Sequence, residues 1–485
     1  MDSEHVDEQL FAVDVRPVEA VDRPISGGWN KSFRHYDQHQ QFLIPPSIDD
    51  WLPEEHLARF VSDLVEEALD LEPFLASYTE AKGFPSYDPR MMLKLIIYGY
   101  STGVRSSRAI EKACWEDVPF RWLSANQTPD FRSIARFRRR HLVALRELFR
   151  TSLVLCERAG MVRLGRVALD GTKVRANASR RKAMSYRYLS DKEQVLAAEV
   201  DDLLHDAEVT DAREDKTLGK DRGYADLPDA LATKEKRLAA IRRAKDDLEA
   251  RAADDAADNA RKKATDQGLD EAEIERRADE AASSATVKDN TQANFTDPDA
   301  RIMKTADGSF HYCYNAQAVV DDAHQVIVAT KLTASATDSR ALPEMLDEVL
   351  ANTGVAPREL LADAGYFSEE NVTAATSRHI DPYLATGRLR HGEVVPSAPP
   401  GRIPQNLSPK ERMARKLRTK RGKAAYARRK AIVEPVFGQI DTCHGGKRVL
   451  LRGHAAAAAE WELIAAVHNL RKLFGYVGTA IPAPS

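Results

Sequence analysis

Several things are missing from this chain. It has four cysteines, Cys114, Cys156, Cys313 and Cys443, set far apart. That spacing excludes a zinc-ligand motif and a disulfide framework, and it fits a reducing cytoplasm. No apolar run is long enough to span a bilayer, which excludes a membrane helix. The opening MDSEHVDEQL is acidic and lacks an apolar core, so it does not read as a secretory signal. Net charge is also small, -3 from 71 basic and 74 acidic residues. That balance says little about partners, because the charges are segregated along the chain. No internal repeat is visible. The histidines, among them His311, His324, His444, His454 and His468, are scattered and form no ligand set. What remains is a 485-residue chain, 43% hydrophobic and 30% charged. It is long enough for roughly two to four domains with real cores.

Residues 1–40 read as a polar, flexible lead-in. Helical patterning follows. Pro53-Glu54-Glu55 opens a helix carrying Leu57, Phe60, Val61 and Leu64 at helical spacing. Asp88 caps a second helix with Pro89 in its first turn, Gly103 ends it, and a third helix runs from about Ser106 to Cys114. A helix–glycine turn–helix is compatible with DNA binding and equally with a plain helical bundle. Phe131–Arg140 is a basic helix with Arg132, Arg136, Arg138, Arg139 and Arg140, suited to phosphate contact or to a solvated face.

The stretch from about Arg180 to Asp289 is rich in Ala, Asp, Glu, Lys and Arg and nearly free of aromatics. Two stripes, Leu196, Val200, Leu203 and Leu204, then Leu231, Leu238, Ile241 and Leu248, predict a helical hairpin or short coiled coil, flexible near Ala252–Ala285. A β-hairpin is expected over His311–Val320 and Gln325–Leu332, then a helix capped by Asp338 and running through Leu350. Next come a strand up to Asp363, a helix over Ser368–Ser377, a strand over Ile380–Ala385 and a proline-rich linker, Val395–Pro409. Lys410–Lys430 then reads as one helix with eleven Lys or Arg and one Glu. A last amphipathic helix covers Trp461–Phe474.

Two stretches share one layout. VALDGTKVRANAS at Val167–Ser179 and ELLADAGYFSEEN at Glu359–Asn371 each read as an apolar strand that stops at an aspartate, Asp170 or Asp363, followed by a glycine. Strand C-termini are where ligands sit in open α/β sheets. Glu434 lies among apolar residues in YARRKAIVEPVFGQI. Carboxylates gathered from these three places would hold divalent metal, and two Mg²⁺ ions about 4 Å apart suit phosphodiester chemistry. The neighbouring Lys and Arg favour a nucleic-acid polyanion over a small substrate.

With these residues in view, the chain resembles an insertion-sequence transposase of the DDE type. The likeness is carried by YDPRMMLKLIIYGYSTGVRSSRAIEKA and TPDFRSIARFRRRH, then by VALDGTKVRANAS, TDPDARIMKTADGSFHYCYNAQ, LLADAGYFSEEN and YARRKAIVEPVFGQI. The resemblance implies a mixed α/β fold: a ribonuclease-H-like sheet with flanking helices (161–180 and 300–475), an all-α DNA-binding domain (41–160) and a charged helical insertion (181–299). It implies that Asp170, Asp363 and Glu434 bind two Mg²⁺, with Mn²⁺ able to substitute. Water would attack at the element ends, and the freed 3′-hydroxyl would then attack target DNA. DNA contacts are expected from the arginines of 131–140 and from Lys416, Arg418, Lys420, Arg421, Lys423, Arg428, Arg429 and Lys430. The partners implied are double-stranded terminal-repeat and target DNA and a second copy of the chain, in a nucleoid-associated cytoplasmic protein. Asn315 and Gln317 match a family motif, with no chemical role assigned. Where the family often carries Lys after the glutamate, this sequence has Asp441, with Lys447 further on. A catalytically inactive or domesticated DNA-binding relative and a nuclease without strand transfer are the alternatives.

Overall fold

Hydrophobic periodicity and capping residues set the first helices. In the computed structural model, residues 47–78, 86–179, 182–218, 229–267, 269–335, 338, 340–387, 397–404 and 406–482 are described. The expected lead-in over 1–40 lies outside them. After a 3₁₀ turn at Ile48–Trp51 come α1 (Leu57–Asp63), extended by a π-helical turn, α2 (Glu72–Leu75), α3 (Pro89–Ser101), α4 (Ser107–Glu116) and α5 (Val118–Leu123). Then follow α6 (Phe131–Arg140) and α7 (Leu142–Arg158). Asp88 accepts from the Arg90 N–H, Ser106 from Ala109, and Asp130 from Arg132 and Ser133. Each satisfies a backbone donor left open by the first helical turn. α1 starts at Leu57, not at Pro53, because His56 supplies its cap while residues 53–55 form a turn.

The strands are β1 (Arg166–Arg175), β2 (Ala183–Ser185), β3 (Gln292–Asn294), β4 (Arg301–Lys304), β5 (Phe310–Asp321), β6 (Ile327–Thr333), β7 (Glu359–Ala362) and β8 (Asp381–Leu384). β5 is antiparallel to β1, β4 and β6, while β1, β7 and β8 run parallel. The resulting order, β6-β5-β1-β7-β8 with β4 also on β5, is the mixed ribonuclease-H-like sheet that the family resemblance implies. β4 and the small β2–β3 pair were not anticipated. Each has three or four residues, too few for a period to show.

Between β2 and β3 lie α8 (Tyr186–Leu218), α9 (Asp229–Asp266) and α10 (Glu271–Ser283). The described members of the two stripes meet: Leu196 and Val200, joined by Leu189, pack against Leu238, Ile241 and Leu248 in a small separate core. The side chains of Leu203, Leu204 and Leu231 lie outside the described residues. The stretch expected to be flexible, Ala252–Ala285, is helical to Asp266 and again from Glu271 to Ser283. Ion pairs such as Arg261–Glu275 at 2.8 Å link those two helices.

The remaining helices are α11 (Ala341–Thr353), α12 (Glu369–Ser377), α13 (Pro409–Arg418), α14 (Lys420–Thr442) and α15 (His454–Val477). The expected single basic helix is therefore two. Thr419 breaks it, capping α14 by accepting from Gly422 N–H. Pro435 sits inside α14 and brings no N–H. The carbonyl it leaves open, that of Ala431, accepts from Gln325 Nε2 at 3.0 Å. Among the described residues no helix is long and apolar enough to cross a membrane.

α15 joins the helical segment to the sheet. Its Glu460 is 1% exposed and accepts from Arg105 Nη1 (3.2 Å), Tyr100 Oη (3.1 Å) and the Leu450 and Leu451 N–H groups (2.7 and 2.8 Å). His444 and His468 stack edge to face nearby, ring centroids 6.0 Å apart. Burial pushes His444 down to about 4 and His468 to about 3. In the unfolded chain both titrate near 6.5. Stability is therefore fully present above about pH 6.5 and falls as pH drops toward 4, by up to roughly 1.4 kcal/mol per pH unit per histidine. Urea denaturation across that range should show the loss, and His468→Gln should flatten it. An unchanged slope in the variant would refute the assignment.

Candidate active site and nucleic-acid interface

The apolar run Val167, Ala168 and Leu169 is wholly buried and carries β1 through the sheet centre. β1 does not stop at Asp170. It continues to Arg175, paired with β5 throughout, so Asp170-Gly171-Thr172 is strand and not a turn. β7 is the strand that ends. Its parallel pairing with β1 finishes at Leu169 and Ala362. Asp363 then caps a 3₁₀ turn, accepting from Gly365 N–H at 2.8 Å. Further along β1, the edge vacated by β7 is taken up again at Arg175, which bonds to the Lys447 and Val449 backbone. The stretch between is where Asp170 sits, beside Asp363 and under α14.

Arg429 of α14 donates to Asp170 Oδ2 at 2.7 Å. Burial raises the Asp170 pKa above its ordinary value, with Arg429 opposing and the Asp363 charge adding to the rise. Burial lowers the Arg429 pKa, but Asp170, Tyr426 and Asp363 outweigh it and the net shift is upward.

A further carboxylate, Asp338, lies near Asp363. Asp338 was expected to cap α11, but that helix starts from Arg340 without a side-chain cap. Asp338 Oδ1 instead accepts from Asn315 Nδ2 (2.7 Å) and Gln317 Nε2 (2.9 Å), with Lys173 Nζ at 3.4 Å. This gives the two amides of the YNAQ motif a role: alternate positions on one strand face both reach the same acceptor. Their placement in an otherwise apolar strand was the available signal. Tyr366 Oη donates to Gln317 Oε1, and burial, then the charges of Asp338, Asp170 and Asp363, raise its pKa well above the usual value.

Two glycines make room. A Cβ on Gly171 would lie 2.5 Å from Gln317 Nε2, and one on Gly365 would lie 3.0 Å from Asp363 Oδ1 and 3.3 Å from Asp338 Oδ2. Glu434 is exposed on α14, 4.0 Å from Lys430. Among the described residues, no three His, Cys, Asp or Glu stand close enough together to hold an ion. The donor chemistry is nevertheless that of a hard cation: carboxylate oxygens beside the buried Asn315 Oδ1, which has no hydrogen-bond partner among the described residues.

The expected DNA-contact residues divide. Arg132, Arg136, Arg139 and Arg140 of α6 are exposed. Arg138 turns inward, 6% exposed, and donates to Tyr100 Oη (3.1 Å), Arg105 O (2.9 Å) and Ser107 Oγ (2.6 Å). Its guanidinium is committed to the interior, which corrects its assignment to DNA. On α13 and α14, Lys420, Arg421, Lys423, Arg428 and Lys430 are exposed, while Lys416, Arg418 and Arg429 are half-buried. Lys416 pairs with Asp381, Arg421 with Glu359 at 2.9 Å, and Arg428 with Asp322. Asp441 is half-buried; burial raises its pKa and Lys447 opposes.

Two family models match the chain. Residues 46–140 match a transposase domain (DUF772), and residues 282–470 match a transposase DDE domain. Together they span more than half of the sequence. No curated protein and no solved structure matches it.

Replacing Asp338 by Ala strands two buried amide donors, at a cost of roughly 1–3 kcal/mol each. Urea denaturation should show that loss for Asp338→Ala and much less for Asp338→Asn, which keeps an acceptor oxygen. Equal stability of the two variants would refute the clamp. On α6, Arg138→Ala should lower the thermal midpoint, while Arg139→Ala should leave it unchanged and weaken duplex binding. The reverse pattern would return Arg138 to the DNA surface.

Proposed function

Because the chain belongs to the DDE transposases of insertion sequences, we propose that it cleaves DNA at the ends of its element and joins the freed 3′ ends to target DNA. The observation that carries this reading is the approach of Asp170 and Asp363 at the end of β7, within a chain holding both transposase domains.

Asp170 and Asp363, with Glu434 completing the set, would hold two Mg²⁺ ions, for which Mn²⁺ can substitute. Such ions activate an attacking oxygen and stabilise a leaving one at a phosphodiester. The chain supplies the rest. Arg429 neutralises Asp170 where burial disfavours its charge. Asn315 and Gln317 fix Asp338 beside Asp363, and Tyr366 fixes Gln317. Arg132, Arg136, Arg139 and Arg140 give phosphate contacts that position a duplex without reading its sequence. Lys420, Lys423, Lys430 and their neighbours offer further exposed cations on α14. Two element ends call for two copies of the chain in the active complex, which we place at the nucleoid of a prokaryotic cytoplasm.

The test incubates the full chain with Mg²⁺ and a labelled fragment carrying the DNA that flanks its own gene. Nicks at the flanks followed by joined products are expected. Asp170→Asn, Asp363→Asn and Glu434→Gln should each abolish cleavage yet keep duplex binding. Cleavage surviving Asp363→Asn would refute the assignment of the carboxylates. Binding without cleavage by the unaltered chain, under Mn²⁺ as well, would replace transposition with a DNA-binding role.

A further inference from the structure

Where α9 of the insertion meets the outer edge of the sheet, there is an open cleft of about 510 Å³. Its lining includes Arg251, Asp299, Arg301, Lys331, Thr333 and His454. Three of these side chains are permanent cations and one is a carboxylate. The carboxylate is engaged, since Asp299 Oδ2 accepts the His454 N–H at 2.8 Å. Lys331 is engaged as well, paired with Glu344.

The two arginines are held differently: the carboxylates Asp247 and Asp299 act on Arg251 through their charge. Arg251 Nη2 donates to a neutral acceptor, the Pro298 carbonyl, at 2.8 Å. Arg301 Nε is buried with no hydrogen-bond partner among the described residues. Burial, and then the charge of Arg301, lower the Arg251 pKa, so each guanidinium faces the other's charge. An unpartnered buried donor on a cation is costly, and a two-oxygen anion matches guanidinium geometry.

We infer that this cleft is a phosphate-binding site, and that its occupant is a backbone phosphate of the DNA strand leading to the carboxylates. The inference rests on the transposase reading. Strand register supports the assignment. Asp170 is level with Ala318 on β5 and Thr330 on β6, and Thr333 lies three residues further along β6. Two strand spacings across and three residues along put the cleft roughly 14 Å from Asp170. That is the axial rise of about four nucleotides on one strand. Arg251 comes from the insertion and Arg301 from β4, so the insertion supplies half of the site.

The test is a titration of a labelled duplex, followed by fluorescence anisotropy over a range of salt concentrations, with the full chain and with Arg251→Gln/Arg301→Gln. Binding should weaken roughly tenfold, and the salt slope should fall by about one for each phosphate that is no longer neutralised. Arg301→Lys should recover part of the slope, since it keeps the charge. Thr333→Glu adds a carboxylate to the cleft without touching either arginine. It should weaken binding in the same way even if the double variant fails to fold. Unchanged affinity and slope in folded variants, while the unaltered chain binds duplex, would overturn the cleft and leave the transposase reading standing. No duplex binding by the unaltered chain would overturn that reading itself. Calorimetric binding of inorganic phosphate that depends on Arg301, with duplex affinity unmoved, would overturn the DNA occupant in favour of a small anion.

Discussion

β1 pairs with β5 from Val167 to Arg175 but with β7 only from Arg166 to Leu169. That inequality of length generates the site. Once β7 ends, β1 offers one free edge in the middle of an otherwise filled sheet, and Asp170 is the first residue there. Asp363, the residue directly after β7, is placed beside it by the parallel register. α14 covers the gap with Arg429, whose guanidinium is bonded to Asp170. A longer β7 would pair with residues 170–174 and close the edge.

The second constraint is the buried charge of Glu460. Removing a carboxylate from water is tolerated only when its hydrogen bonds are met in full. Here the partners come from two regions far apart in sequence: Arg105 and Tyr100 from the helical segment, Leu450 and Leu451 from the stretch before α15. Arg138 then braces Tyr100 and the Arg105 carbonyl. The helices of 48–158 and the sheet are therefore held by one polar network inside a shared apolar core. Losing one member strands several others, and an unpaired polar group in a low-dielectric interior is costly.

Much of this was legible in the sequence. Asp88 caps its helix because capping needs only local chemistry. The leucine stripes of the insertion meet because their period is helical. The alternation of strand and helix patterns pointed to a mixed α/β class, and the family resemblance supplied the ribonuclease-H-like sheet. What sequence could not supply depended on contacts far along the chain. Asp338 looks like a helix cap until Asn315 and Gln317 are seen to claim it. Gly171 looks like a turn glycine until Gln317 is seen to occupy the space of its missing Cβ. Arg138 and Arg139 are adjacent in a basic run, and only the packing of α6 shows which one turns inward.

Three basic residues of α13 and α14 meet carboxylates already within the fold: Lys416 at Asp381, Arg421 at Glu359, Arg428 at Asp322. A phosphate arriving at these positions does not meet idle charge. It must exchange one ion pair for another, and the gain is only the difference between the two. For an arbitrary stretch of DNA that difference is small. A strand that also fills the neighbouring groups makes many exchanges at once. If a duplex docks here as proposed, such a surface would discriminate by fit, holding stray polyanions weakly and keeping its grip for a duplex that engages the whole face together.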